Sequence, residues 1–323
     1  MRRSMWFVVA ALVALAALAV AGCGSGGGKS GTKSVYANYP GQEFPYYQAI
    51  RAGEAARAKQ LGWKFEADFA NDAPDQQVSQ IQTALARQPT GMLISPVTAA
   101  SVVPAVQQAH NQKVPVVAVA NDITDPSLLL SFTGTANATI GRLKAQYIVT
   151  ALHGRGVVAT IHGVRGRPFS DEQAAAATAV FQQNPGIRVI DGGYAGGFSS
   201  DVALNKTQTL LTRAGHVDAI YFDNDDQALG GIQALQARNQ HGVVVVGSDG
   251  TPAGLAAVKA GQLAYTISLC GYTQGVDAMN ILADAIDHGT KPPARVQAKY
   301  KEVTASVLAD PAAYSLLRAQ RCE

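Results

Sequence analysis

The stretch AIYFDNDDQALGGIQAL, Ala219–Leu235, contains the unit from which most of the chain is built. Ala219–Phe222 is a short apolar run of strand type; Asp223, Asn224, Asp225 and Asp226 follow at once, and Asp226–Ala237 reads as a helix. An apolar strand that ends in polar side chains and turns into a helix is a β-loop-α unit. Working outward, Ser34–Tyr39, Trp63–Phe69, Gly91–Pro96, Val114–Ala120 and Leu128–Thr133 read as strands, with helices over Tyr46–Leu61, Gln76–Arg87, Ala99–Asn111 and Ala138–His153. A second set follows, with strands Val157–His162, Arg188–Asp191 and Val243–Val246 and helices Asp171–Gln183 and Asp201–Ala214. Such alternation implies parallel sheets covered on both faces. At 323 residues the chain is long enough for two bodies of this kind. The prediction is α/β, in two consecutive halves.

Composition narrows the function. The chain is 47% hydrophobic and 15% charged, with a formal charge of +3 that falls to +1 without Arg2 and Arg3. No basic stripe appears, so nucleic acid is excluded as a partner. Met1-Arg2-Arg3 is a short positive region before the apolar run Met5–Ala21, and Val20-Ala21-Gly22-Cys23 has the form of a bacterial lipobox. Residues 1–22 are therefore expected to be a lipoprotein signal peptide, with Cys23 lipidated. Residues 23–33, rich in Gly and Ser, would be a flexible tether. The alternative is an uncleaved anchor; both place the body outside the cytoplasmic membrane, in the cell envelope. An oxidising compartment permits Cys270 and Cys322 to pair, the alternative being two buried thiols.

In parallel sheets, ligands bind beyond the carboxyl ends of the strands. The residues expected there are Tyr39–Tyr47, Ala70–Asp72, Ser95-Pro96 and Asn121-Asp122, then Gly163–Arg167, Tyr194–Phe198, Asp223–Asp225 and Ser248-Asp249. Amides, carboxylates and aromatics in this mixture suit an uncharged, hydroxyl-rich ligand. Within the opening stretch, Asn224 is read as facing the ligand, Asp223 as structural, and Asp225 and Asp226 as lying at the helix start, where they cap free N–H groups and favour the positive end of the dipole. A calcium loop is excluded, because Ala228 and Ala234 stand where its Gly and Glu belong. No G-x-S-x-G, H-E-x-x-H, P-loop or G-x-G-x-x-G after a strand is present, and the six His are scattered. The expectation is a binder without metal or cofactor rather than an enzyme; acid–base work by Asp249 and Asp122 is the enzymatic alternative.

Taken in order, FPYY (Phe44–Tyr47), VPVVAVAND (Val114–Asp122), SFTGTANATIGRLKAQYI (Ser131–Ile148), NDDQALGGIQAL (Asn224–Leu235), VVGSDGTPAG (Val245–Gly254) and LAYTI (Leu263–Ile267) resemble the periplasmic sugar-binding proteins of ABC importers, the ribose-binding-protein-like type I group, from about Val35 to Tyr300. The resemblance implies two similar Rossmann-like α/β lobes joined by three hinge strands. The first lobe would comprise residues 34–136 plus 270–300, and the second 137–269 plus 301–323. Cys270 would then lie at a hinge crossing.

Carried over by position, the resemblance makes Tyr46, Tyr47 and Phe198 stacking rings, Asn224 a hydrogen-bonding amide and Asp249 the carboxylate that takes two hydroxyls. Other positions depart. Phe44 stands where the family has Asn before Pro, Ala120-Asn121 replaces its Asp-Arg pair, its second-lobe Arg falls within Ala174–Ala177, and its late Gln falls near Leu269. Asp122, Arg165 and Arg167 stand as candidate replacements. The implied protein is a monomer that captures a monosaccharide or related polyol for ABC permease subunits and is held to the membrane by lipid at Cys23. A sensory binder acting through a membrane receptor is the alternative.

Overall fold

The computed structural model describes residues 32–322. The expected signal peptide, Cys23 and all but the last two residues of the tether lie outside the described residues.

Two parallel sheets carry the molecule. In the first, β1 (Ser34–Tyr39), β2 (Lys64–Phe69), β3 (Gly91–Ile94), β4 (Val116–Val119) and β5 (Ser131–Gly134) are joined by β11 (Arg295–Gln297) in the order β11-β5-β4-β3-β1-β2. Every pairing in it is parallel. The second runs β7-β6-β8-β9, from β6 (Gly156–His162), β7 (Ile187–Tyr194), β8 (Ala219–Phe222) and β9 (Val244–Val246). Single bridges from Val246 to Tyr265 and from Asp249 to Ser268 extend it to β10 (Thr266–Ser268). That strand pairs antiparallel with β12 (Lys301–Val303). Each sheet thus has its first strand flanked by the second and third, the same winding repeated.

The helices of the first half are α1 (Pro45–Gln60), α2 (Pro74–Leu85) and α3 (Val103–Asn111), followed by α4 (Asn137–Ala151). Then come α5 (Pro168–Gln182), α6 (Ser200–Ala214), α7 (Asp225–Ala237), α8 (Pro252–Lys259), α9 (Gly271–His288) and α10 (Pro311–Arg318). Alternation along the strands loads both faces of each sheet. β1 sends Val35, Ala37 and Tyr39 to a cluster with Ile50 of α1 and Met279 and Leu282 of α9, and Tyr36 to a cluster with Ile81 of α2 and Val106 of α3. β8 behaves alike, with Ile220 and Phe222 on one face and Ala219 and Tyr221 on the other. Burying each large aliphatic side chain contributes about 1.5–3 kcal/mol. This is why β3, β4 and β8 are buried at every position, whereas the edge strand β2 exposes Lys64 and Asp68.

Helices α1 and α9 lie in close contact because each contributes a glycine. A Cβ on Gly53 would sit 2.1 Å from the Tyr272 carbonyl oxygen, and one on Gly275 2.1 Å from that of Ile50. The chain crosses between the sheets three times: after β5 at Thr135–Ala136, after β10 at Leu269–Cys270, and between β11 and β12 at 298–300. Cys270 and Cys322 are joined by a disulfide with Cα atoms 5.5 Å apart, tying the C-terminal tail to the second crossing.

Candidate functional site

The carboxyl ends of both sheets face one cavity, lined by Phe44, Tyr46, Tyr47, Asn121, Asp122, Arg167, Phe198, Asn224 and Asp249. Of the ten ligand candidates only Arg165 stands apart: its guanidinium lies 4.4 Å from the Tyr194 ring centre, outside the lining. Arg165 and Arg167 flank Gly166, which has φ +85°, and this turn sends the two side chains to different neighbours.

The first-lobe wall is aromatic and internally bonded. Phe44 occupies the N-cap position of α1, and its ring lies in the cavity wall. That ring meets Tyr47 edge-on at 6.1 Å and, from the opposite lobe, Phe198 at 6.2 Å. Both adjacent tyrosines reach the cavity. The Tyr46 hydroxyl donates to Oε1 of Gln274 on α9, and the Tyr47 hydroxyl accepts from Nδ2 of Asn121 at 2.9 Å. Burial raises both phenols well above their usual range. Asn121 Nδ2 also donates to the Pro96 carbonyl at 3.0 Å. Asp122 is occupied as well: Oδ1 accepts from the Ile123 N–H at 2.8 Å and Oδ2 pairs with Arg295.

The second-lobe wall differs. Arg167 Nη2 reaches across the cleft to Asp72 Oδ2 at 2.8 Å, which occupies its charge in an inter-lobe ion pair. Phe198 is wedged between Phe44 and Phe169, the latter ring at 5.8 Å. Its seat depends on Gly163, where a Cβ would lie 2.1 Å from the ring. Asn224 has two uses. Its Oδ1 accepts from the Gln227 N–H at 3.0 Å and caps α7, while its Nδ2 has no protein acceptor among the described residues. The Asp249 carboxylate has no donor among the described residues, and its backbone sits at φ +100°. Burial first, then the neighbouring Asp225 and Asp226 charges, push its pKa well above the usual carboxylate range, with Lys144 opposing.

The acidic run that opens the site is mostly scaffold. Asp223 Oδ1 bonds His162 Nδ1 at 2.9 Å and Oδ2 accepts from the Gly163 N–H at 2.8 Å, so it shapes the loop after β6. Asp225 and Asp226 do lie in the first turn of α7, at the positive end of its dipole, but the capping expected of them is corrected: the side-chain cap is Asn224, one residue earlier. Asp225 instead accepts from the Thr251 N–H at 2.8 Å and the Thr266 hydroxyl at 2.6 Å, and burial lifts its pKa to about 7. Behind the wall, fully buried Lys144 donates to the carbonyls of Phe222 and Asp223 at 2.7 and 2.8 Å. Its pKa is lowered by burial to about 8.

Sequence reasoning missed Phe169, Thr135, Asn137 and Lys144. Phe169 follows Arg167-Pro168 directly, and an aromatic in the first turn of a helix at a strand's carboxyl end was a usable signal. Thr135 lies on a crossing and keeps a buried Oγ1 without a hydrogen-bond partner at the cavity. Asn137 and Lys144 carried no local signal.

Two wound parallel sheets, three crossings and a cavity between facing carboxyl ends define a type I periplasmic binding protein fold. The chain matches the periplasmic binding protein domain family over residues 35–291 and belongs to it. It is similar to the ribose import binding protein of Salmonella typhimurium (strain LT2), 29% identical over 264 residues that cover 79% of this chain and 84% of that protein. A xylitol-binding protein of Mycolicibacterium smegmatis is 29% identical over 221 residues, 68% of this chain and 62% of that one. Among solved structures, the periplasmic ribose ABC transporter from Conexibacter woesei superposes with a TM-score of 0.79 at 38% identity, covering 88% of this chain and 96% of the other.

Proposed function

We propose that the protein is a solute-binding protein that captures a monosaccharide or related polyol between its lobes and delivers it to an ABC permease. The observation that carries this reading is the Asp249 carboxylate, unpaired in a cavity walled by Phe44, Tyr46, Tyr47 and Phe198. Paired hydroxyls are its natural donors, and bonds to a charged acceptor are the strong ones. Rings on both walls would cover the C–H faces of the solute. Asn224 Nδ2 and Thr135 Oγ1 would orient further hydroxyls. Relatives named for ribose and xylitol support the substrate class. Ribose itself is disfavoured by residues 120–121 and 174–177, which lack the arginines and carboxylate of the ribose-binding pattern.

Mechanistically, solute held by one wall recruits the other and shifts the hinge toward the closed form, in proportion to its preference for that form. The Arg167–Asp72 pair and the Phe44–Phe198 contact would then latch the rim. The moving bodies would be residues 34–136 with 270–300 and 137–269 with 301–323. Lipid on Cys23 would hold the protein at the outer face of the membrane beside its permease, as a monomer with no cofactor and no catalysis.

A thermal-shift screen against pentoses, hexoses, polyols and, as controls, amino acids tests this function. Stabilisation that grows with the concentration of one polyhydroxylated compound is expected from binding linkage. Stabilisation by amino acids alone would overturn the reading. For the anchor, mass spectrometry of the membrane fraction should find diacylglycerol on Cys23, and a Cys23→Ser variant should leave that fraction.

A further inference from the structure

The family match ends at residue 291, yet the tail beyond it reaches the back of the site. Asp249 holds a left-handed φ of +100° and Gly250 one of +64°. A non-glycine residue keeps such a backbone only where its surroundings enforce it. Here the Asp249 N–H donates to the Ile267 carbonyl at 2.9 Å and its carbonyl accepts from the Leu269 N–H at 3.3 Å. A third restraint comes from the tail. Gln320, buried to 5% exposure, donates through Nε2 to the carbonyls of Asp249, at 3.3 Å, and Gly250.

The same residue grips the other lobe. Gln320 Oε1 accepts from the Gly271 N–H at 3.3 Å, and its carbonyl accepts from Tyr272 and Thr273 N–H groups at 3.1 and 3.4 Å. These are donors of the first turn of α9, which a helix leaves without internal partners. Two residues on, the Cys322 N–H donates to Thr273 Oγ1 at 3.0 Å, and the disulfide to Cys270 fixes the tail to that turn.

We propose that Gln320, held by the Cys270–Cys322 disulfide, is a positioning residue that locks the Asp249–Gly250 backbone and so aims the Asp249 carboxylate into the cleft. Its consequence for binding rests on the reading of Asp249 as a solute contact. The tail therefore belongs to the binding apparatus as well as to the fold.

The test uses the full-length protein and the variant Gln320→Met, which keeps the length of the side chain and removes both donors and the acceptor. Two readouts need no ligand: the carboxyl NMR titration of Asp249, and amide exchange at 249–251. The groups around that carboxylate, Asp223, Asp225, Asp226 and Lys144 on its own side and Tyr46 and Tyr47 across the cleft, are untouched by the variant. The expected result is an Asp249 midpoint displaced toward the ordinary carboxylate range and exchange at 249–251 faster by about tenfold or more, with β6 and β8 protected as in wild type. Reduction of the disulfide in unsubstituted protein should move both readouts in the same direction. A lower melting temperature with both readouts unchanged overturns the proposal, since it marks a tail that stabilises without positioning.

Calorimetry with xylitol, and with whichever pentose, hexose or polyol stabilises wild type most in the thermal screen, separates this proposal from the functional reading. Weakening by Gln320→Met of whichever compound binds supports both. If Asp249→Asn binds as wild type does, the result counts against the functional reading, while the two ligand-free readouts still decide the clamp.

Discussion

On the first-lobe wall of the cleft the Tyr46 hydroxyl is bonded to Gln274, that of Tyr47 to Asn121, and Asp122 to Arg295. On the second-lobe wall the Asn224 Nδ2 and the Asp249 carboxylate face the cavity with no protein partner among the described residues. The two walls end equivalent sheets, so topology does not set the difference. It lies in the loops: the first wall ties most of its polar groups to one another, leaving Asn121 Oδ1 and the Tyr47 hydroxyl proton without protein partners among the described residues, and offers mainly ring faces, whereas the second is held in shape by scaffold bonds and leaves a carboxylate and an amide open. A solute gains mostly apolar contact from the first and orientation from the second.

The largest effect expected from disturbing this contrast lies in the brace behind the second wall. Replacing both Cys270 and Cys322 by Ser opens a loop of 52 residues' separation. Urea unfolding should show a loss of about 4 kcal/mol on the chain-entropy account. A loss confined to a few tenths would mean that the hydrogen bonds of the tail alone carry the stability.

Of similar size is a pH effect centred on the first lobe. Burial raises Glu54 to about 8, and its Oε1 is left unpartnered while Oε2 accepts from the Tyr39 hydroxyl. Between the unfolded value near 4.5 and the folded one, the native state holds a proton that the unfolded state has lost. Stability should therefore fall as pH rises through that window, by on the order of 4–5 kcal/mol. Asp225, raised to about 7 in the second lobe, acts with the same sign. Glu54→Gln should flatten part of the slope in melting curves taken from about pH 4 to pH 9 and leave the share that Asp225 and Asp249 contribute. A slope unchanged in that variant would remove Glu54 as its source.

Smaller again is Tyr46→Phe, which deprives Gln274 Oε1 of its donor. It should cost about 1 kcal/mol of stability and leave solute affinity nearly unchanged, because the bond lies within the first wall. An affinity loss larger than the stability loss would mean that this hydroxyl faces the solute. Smallest is Asp72→Asn at the rim. The Arg167 pair is partly exposed, so calorimetry should find at most about 1 kcal/mol of affinity lost, fading as salt is raised.

Much of the fold was legible because buried parallel strands are continuous apolar runs, as Gly91–Ile94 and Ala219–Phe222 are. Helix α9 was not, since Gly271 and Gly275 dilute its helical pattern; contact with α1, which sequence does not display, is what needs them. β11 and β12, three residues each with exposed positions, carry too little pattern to read.

In the site, strand ends pointed to Asn224 and Asp249, but charge pairing was invisible. Nothing local distinguishes Arg167, which finds Asp72, from Arg165, which lies on Tyr194. Likewise the cap fell to Asn224 because Thr251 and Thr266, far along the chain, draw Asp225 away from the helix end. Gln320 lay beyond every quoted motif.

The central claim, that the open groups of the second wall orient a polyhydroxylated solute, is tested most directly by calorimetric titration of wild type and Asp249→Ala. The titrant is the compound that stabilises wild type most in the thermal screen. Losing a charged acceptor should weaken binding by about 1.5–3 kcal/mol, roughly ten- to 150-fold in Kd. A Kd equal to that of wild type would contradict the account, because Asp249 would then have no part in holding the solute.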